Sequence, residues 1–137
     1  MPDESFDFLG YTFGRCFTPG SGRPYIGARP ARKKVLRLCR EISEQTRARW
    51  SLLETEELVG RLNRRLRGWA NYFCLGTVSR AYRVVNYHAE RRLRQWLCRK
   101  HKVSSQGTTR FPLRYILDTL RLYELRRRRQ NFPCASA

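Results

Sequence analysis

Aspartate is scarce in this chain: Asp3, Asp7 and Asp118 are the three in 137 residues, and no two stand side by side. Metal-dependent nucleotidyl transfer needs several carboxylates converging on divalent ions, and so thin a supply gives no such constellation. His88 and His101 stand in no nucleophile motif. Nor do they complete a zinc spacing with the five scattered cysteines, among which there is no Cys-x-x-Cys pair. No enzymatic chemistry, no metal and no other cofactor is therefore expected. Cys39 and Cys98 fall on apolar helical faces, where a thiol serves as a small hydrophobe, and disulfides are not expected. Long apolar runs are missing too, since none approaches the roughly 20 residues that span a bilayer. The acidic start, Met1-Pro2-Asp3-Glu4, lacks the basic and apolar regions of a signal peptide. These absences lead to the expectation of a cytoplasmic protein with no membrane partner.

What the chain has is positive charge. Lys plus Arg number 29 against 11 Asp plus Glu, a formal net charge of +18. Such an excess works against folding by self-repulsion unless a polyanion relieves it. Arginine outnumbers lysine, which favours forked contacts to phosphate over point-charge attraction. Nucleic acid is the expected partner.

Hydrophobic periodicity gives a mainly α fold: a three-helix bundle with an N-terminal β-hairpin and a short C-terminal helix. Residues 1–29 read as the hairpin. Phe6 and Phe8, then Tyr11 and Phe13 after the Gly10 break, are strand formers; residues 18–24 are turn chemistry, and Tyr25-Ile26 begins a return strand. Residues 30–102 read as the helical domain. Pro30 is placed at the opening of the first helix, whose buried face is Val35, Leu38, Cys39 and Ile42. The second helix is placed from Glu54 or Thr55, with acidic residues in its first turn and a stripe of Leu58, Leu62, Leu66, Trp69 and Phe73. Gly68 interrupts that stripe at a cost of about 1 kcal/mol relative to alanine, which suggests close approach of another helix or backbone. The third helix, about 80–100, turns Tyr82, Val85, Ala89, Leu93, Trp96 and Leu97 inward. Residues 103–137 hold a short helix at about 112–122 and a tail with a run of arginines at 126–129.

The candidate nucleic-acid-binding residues follow from these faces. They are Arg32, Lys33 and Lys34 on the first helix and Arg61, Asn63, Arg64, Arg65, Arg67, Asn71 and Tyr72 on the second. Arg91, Arg92, Arg99, Lys100 and Lys102 join them on and just after the third. On a helix the arginines of the second group fan around the face opposite Leu62 and Leu66. A solvated basic face is the plain alternative, but such a face usually interleaves acids at i,i+4, and this one has few. Trp69, Tyr72 and Phe73 offer stacking surfaces for unpaired bases, although the stripe assigns Trp69 and Phe73 to the core.

Several blocks also resemble a known family in the right order along the chain. Phe6-Asp7-Phe8-Leu9-Gly10-Tyr11 is similar to the segment that ends the palm of group II intron-encoded reverse transcriptases. Leu62-Asn63 through Gly68-Trp69-Ala70-Asn71-Tyr72-Phe73 resembles the signature of their maturase-specific domain, the thumb or domain X. Arg91 to Leu97 with Lys100-His101-Lys102, and Thr109 to Ile116, resemble the blocks that follow. The resemblance implies a helical thumb that binds structured intron RNA, helps it fold for splicing, and holds a template–primer duplex. The fingers and palm, with the Tyr-x-Asp-Asp motif that binds catalytic metals, have no counterpart in these residues, so polymerase activity does not carry over. The chain reads as a truncated or split reading frame. Its expected partner is group II intron RNA, with a separately encoded fingers–palm fragment as a second candidate. A remnant without function and a generic DNA binder are the other readings.

Overall fold

The computed structural model describes residues 5–17, 20, 22, 24–74, 76, 78–104 and 107–126. Strands β1 (Ser5–Phe8), β2 (Tyr11–Phe17) and β3 (Pro24–Pro30) form an antiparallel sheet in the order β1-β2-β3. Helices α1 (Arg32–Gln45), α2 (Thr55–Tyr72) and α3 (Ser79–Lys100) follow, with one 3-10 turn, Ala48–Trp50, between the first two.

The sheet has one strand more than the expected hairpin. Phe8 pairs with Tyr11, so Leu9 and Gly10 alone make the turn, and both have positive φ, 54° and 86°. Two left-handed residues in a row give the turn that matches strand twist. Leucine seldom adopts that conformation, so only Gly10 marked the spot in the sequence, and a run that looks like one aromatic strand folds back on itself. Pro30 closes β3 opposite Tyr11 instead of opening α1. Its fixed φ and missing N–H suit an edge strand as well as a first helical turn.

The helical core follows the predicted periodicity closely. Val35, Leu38 and Ile42 of α1 meet Leu58, Leu62 and Leu66 of α2, and every expected inward residue of α3 is buried. α2 begins at Thr55 with Glu56 and Glu57 in its first turn, where carboxylates complement the helix dipole. Phe73 is buried just beyond the end of α2, whereas Trp69 is partly buried.

Three polar devices that periodicity does not reveal hold the bundle together. Arg92 of α3 donates from Nε to Thr46 Oγ1 (3.0 Å) and from Nη2 to the Ser43 carbonyl (3.1 Å), placing a cation at the negative end of α1. Lys100 Nζ donates to the carbonyls of Ser51 (3.1 Å) and Leu53 (2.7 Å), fixing the connection between α1 and α2. Asn63 and Asn86 clamp the C-terminal segment. Asn63 accepts from Tyr123 N (2.6 Å) and donates to Arg121 O (2.9 Å), while Asn86 both accepts from and donates to the backbone of Leu125.

That segment is less helical than expected: within 112–122 a π-helical turn, Tyr115–Thr119, is followed by chain without regular secondary structure, in which Arg121 has a φ of 60°. The reason lies in the two asparagines, which bind backbone groups of Arg121, Tyr123 and Leu125 that a continuing helix would have used internally. Of the arginine run, Arg126 is exposed and the rest lies outside the described residues.

Cys39 and Cys98 are free, and burial pushes the Cys39 thiol pKa up. Cys74, however, is disulfide-bonded, against the expectation of unpaired cysteines. A bridge between residues that only folding brings together leaves no spacing to read.

Candidate nucleic-acid interface

Helices α1 and α2 run antiparallel as a helical hairpin. Their buried faces meet at Leu38 and Leu66, but the seam opens outward into a cleft of about 880 Å³. One wall is the face of α1 that carries Lys34, Arg37, Glu41 and Gln45, spaced by three and four. The other is the face of α2 that carries Arg61, Arg64, Arg65, Gly68 and Tyr72, with the same spacing. Leu38, Trp69 and Phe73 supply the apolar lining. Five cations thus face one carboxylate.

That carboxylate is shared. Arg65 Nε lies 2.8 Å from Glu41 and Arg37 Nε lies 3.6 Å from it, while Arg61 pairs with Glu57 at 3.1 Å. Among the described residues no ion pair engages Arg64 or Lys34. Exposed pairs of this kind contribute about 0–1 kcal/mol each, so a polyanion can compete for these guanidinium groups at little cost.

The sheet closes one end of the cleft. Leu9 and Gly10 reach its rim, held there by three hydrogen bonds. Tyr72 Oη donates to the Leu9 carbonyl (2.5 Å), Tyr11 Oη donates to the Tyr72 carbonyl (2.5 Å), and Ala31 N donates to the Gly10 carbonyl (2.8 Å). Tyr11 packs its ring 5.2 Å from that of Phe73 and is buried, so the β-turn is anchored to the end of α2.

Gly68 departs from expectation. A Cβ built on it meets no atom within 4 Å, so no helix or backbone approaches it closely. The glycine faces the open cleft.

The fifteen candidate residues sort into distinct places. Lys34, Arg61, Arg64, Arg65 and Tyr72 line the cleft, and Arg32 and Lys33 are exposed at the first turn of α1. Asn71 is exposed in the last turn of α2, and Arg67 lies over the Tyr123 ring at 5.2 Å. Arg91 and Arg99 line a second groove along α3, about 710 Å³, with Tyr87, Arg94, Gln95 and Thr108. Lys102 is exposed just past the end of α3. Asn63, Arg92 and Lys100 are spent on backbone groups of the fold, as described above. Burial, and then the charges of Arg99, Arg91 and Arg47, lower the Arg92 pKa.

Arg37 was missed as a site residue. Its signal is present, since it follows Lys34 by three and precedes Glu41 by four, but it shows only once α1 is known to face α2. His88 shares this region without joining the cleft. Its Nε2 lies 2.9 Å from Ser43 Oγ, and burial is the first cause lowering its pKa. Among the described residues no group of three or more His, Cys, Asp or Glu is placed to hold a metal, and no helix is long and apolar enough to cross a membrane.

Residues 35–115 match the family model of the group II intron, maturase-specific domain, which covers more than half of the chain. The chain belongs to this family. The match starts inside α1 and ends in the π-helical turn, so it takes in both walls of the cleft except Lys34, and the whole of α3. It is to the maturase-specific domain and not to the catalytic domain of a reverse transcriptase, which gives the chain a maturase-type role in group II introns. A search of the curated proteins finds no match.

Proposed function

We propose that this maturase-specific domain binds group II intron RNA through the α1–α2 cleft and assists its splicing, without polymerase chemistry of its own. One observation carries the reading: five cations from two helices converge on a cleft that holds a single carboxylate. Arginine forks match phosphate oxygens, and the fixed hairpin holds them in a row. Arg91 and Arg99 in the second groove, with Arg32, Lys33, Arg67 and Lys102 at the surface, extend the positive field along the RNA. The family match, to the maturase-specific domain and not to a catalytic domain, supports a role without polymerase chemistry.

The test is salt. If the five cleft cations each meet a phosphate, affinity for intron RNA falls about 100- to 500-fold between 50 and 200 mM salt. Filter binding that shows a flat dependence overturns the reading.

A second reading is favoured by the sheet. β1 is an edge strand, and Phe6, Phe8 and Leu9 are 61, 58 and 68% exposed. Exposed aromatics on an unpaired edge invite another strand. The partner fitted to this reading is a separately encoded fingers–palm fragment of a split reverse transcriptase. Such a fragment should co-purify with the chain, and the double substitution Phe6→Ser, Phe8→Ser should abolish the association. Retention by the double variant sinks this reading.

A further inference from the structure

The gap at Gly68 has no explanation in the fold. Glycine in a helix interior is destabilising relative to alanine. Neither close packing nor a positive φ requires it here, since a Cβ at this position meets no atom within 4 Å. Gly60 has open space as well, but it does not line the cleft. At Gly68 the missing side chain leaves a notch in the α2 wall.

The neighbours of the notch are specific. Arg64 and Arg65 lie one helical turn before it and Tyr72 one turn after, at the i,i+3 and i,i+4 positions that are adjacent on a helix surface. Trp69 lines the same cleft, and Tyr72 is half exposed. Lys34 stands on the facing wall, and neither it nor Arg64 is engaged by an ion pair among the described residues. Aromatic surface, a vacancy and the Arg64 cation therefore sit within one turn of each other on α2, with Lys34 across the cleft. The cleft as a whole is within the usual size range for small-ligand sites.

From this arrangement we infer that the cleft accepts an unpaired nucleotide of the RNA, its base entering the notch at Gly68 against Trp69 and Tyr72. Its phosphate meets Arg64 and Lys34. A continuous A-form duplex cannot use such a notch, because its bases are stacked and paired, whereas a bulge or loop can turn a base outward. The inference rests on the RNA-binding reading above and adds to it the kind of RNA element the cleft selects.

The experiment compares two RNAs at one fixed salt concentration: a blunt 12-base-pair duplex and the same duplex with one bulged adenosine. Stacking on aromatic side chains should make the bulged RNA bind about tenfold more tightly. Gly68→Leu fills the notch and should bring the bulged RNA down to the affinity of the plain duplex, with circular dichroism to check that the helices persist. With 2-aminopurine replacing the bulged adenosine, the unsubstituted chain should quench its fluorescence on binding. Equal, salt-sensitive affinity for both RNAs, or no quenching on binding, overturns the inference and leaves the RNA-binding reading standing. Binding of neither RNA overturns both.

Discussion

Replacing Lys34, Arg37, Arg61, Arg64 and Arg65 together by glutamine should lower affinity for intron RNA on the order of 10⁴-fold at 0.1 M salt. The figure comes from counterion release. Five phosphate contacts contribute about 3.5–4.5 to the slope of log affinity against log salt, and that contribution disappears with the charges. The fold should survive the change. The ion pairs lost, Arg37–Glu41, Arg61–Glu57 and Arg65–Glu41, are surface pairs worth about 0–1 kcal/mol each. Removing five like charges from a chain of net +18 also relieves repulsion. Filter binding across a salt series, beside thermal unfolding of the same variant, separates the two effects. An unchanged slope would place the RNA elsewhere, with the α3 groove at Arg91 and Arg99 next in line.

The largest effect on stability is expected from Trp96→Ala. Trp96 is fully buried near the C-terminal end of α3, and its Nε1 donates to the Trp50 carbonyl at 3.1 Å. Lys100 Nζ lies 5.3 Å from its ring centre while binding the Ser51 and Leu53 carbonyls. The substitution opens a cavity worth about 3–5 kcal/mol and removes one of two donors to the Trp50 carbonyl, leaving it the Leu53 amide at 3.1 Å. Against a total stability of about 5–15 kcal/mol, that lowers the melting temperature by roughly 10–20 °C. Leu52→Ala, at a side chain 93% exposed in the same connection, should leave it nearly unchanged. A small shift for Trp96→Ala would mean that α3 does not pack as described.

The helices were legible in the sequence because one force sets them. Leu58, Leu62 and Leu66, or Val85, Ala89 and Leu93, can recur at that spacing for no better reason than burial on one face. The sheet was half legible: aromatic residues announce strands, but a Leu9-Gly10 turn looks like the middle of one. The candidate site divided in the same way. Composition and facing positions marked Arg61, Arg64 and Arg65, whereas Arg37 needed the pairing of α1 with α2. Asn63, Arg92 and Lys100 have the same residue chemistry as the cleft residues. What separates them is a backbone carbonyl or amide contributed from a distant part of the chain, between 47 and 60 residues away for the principal contacts. Periodicity carries no information at that range.

The division of cations between Arg92 and Lys100 on one side and the cleft on the other gives dissolved salt two opposite actions on this protein. Ions screen exposed charges strongly and partly buried ones weakly. Raising ionic strength therefore loosens the hold on a polyanion first. It also damps the mutual repulsion of the surface arginines, while the bonds from Arg92 and Lys100 to their carbonyls stay in place. On the proposed reading, brine strips the RNA from such a molecule and leaves the bare protein firmer than dilute buffer does.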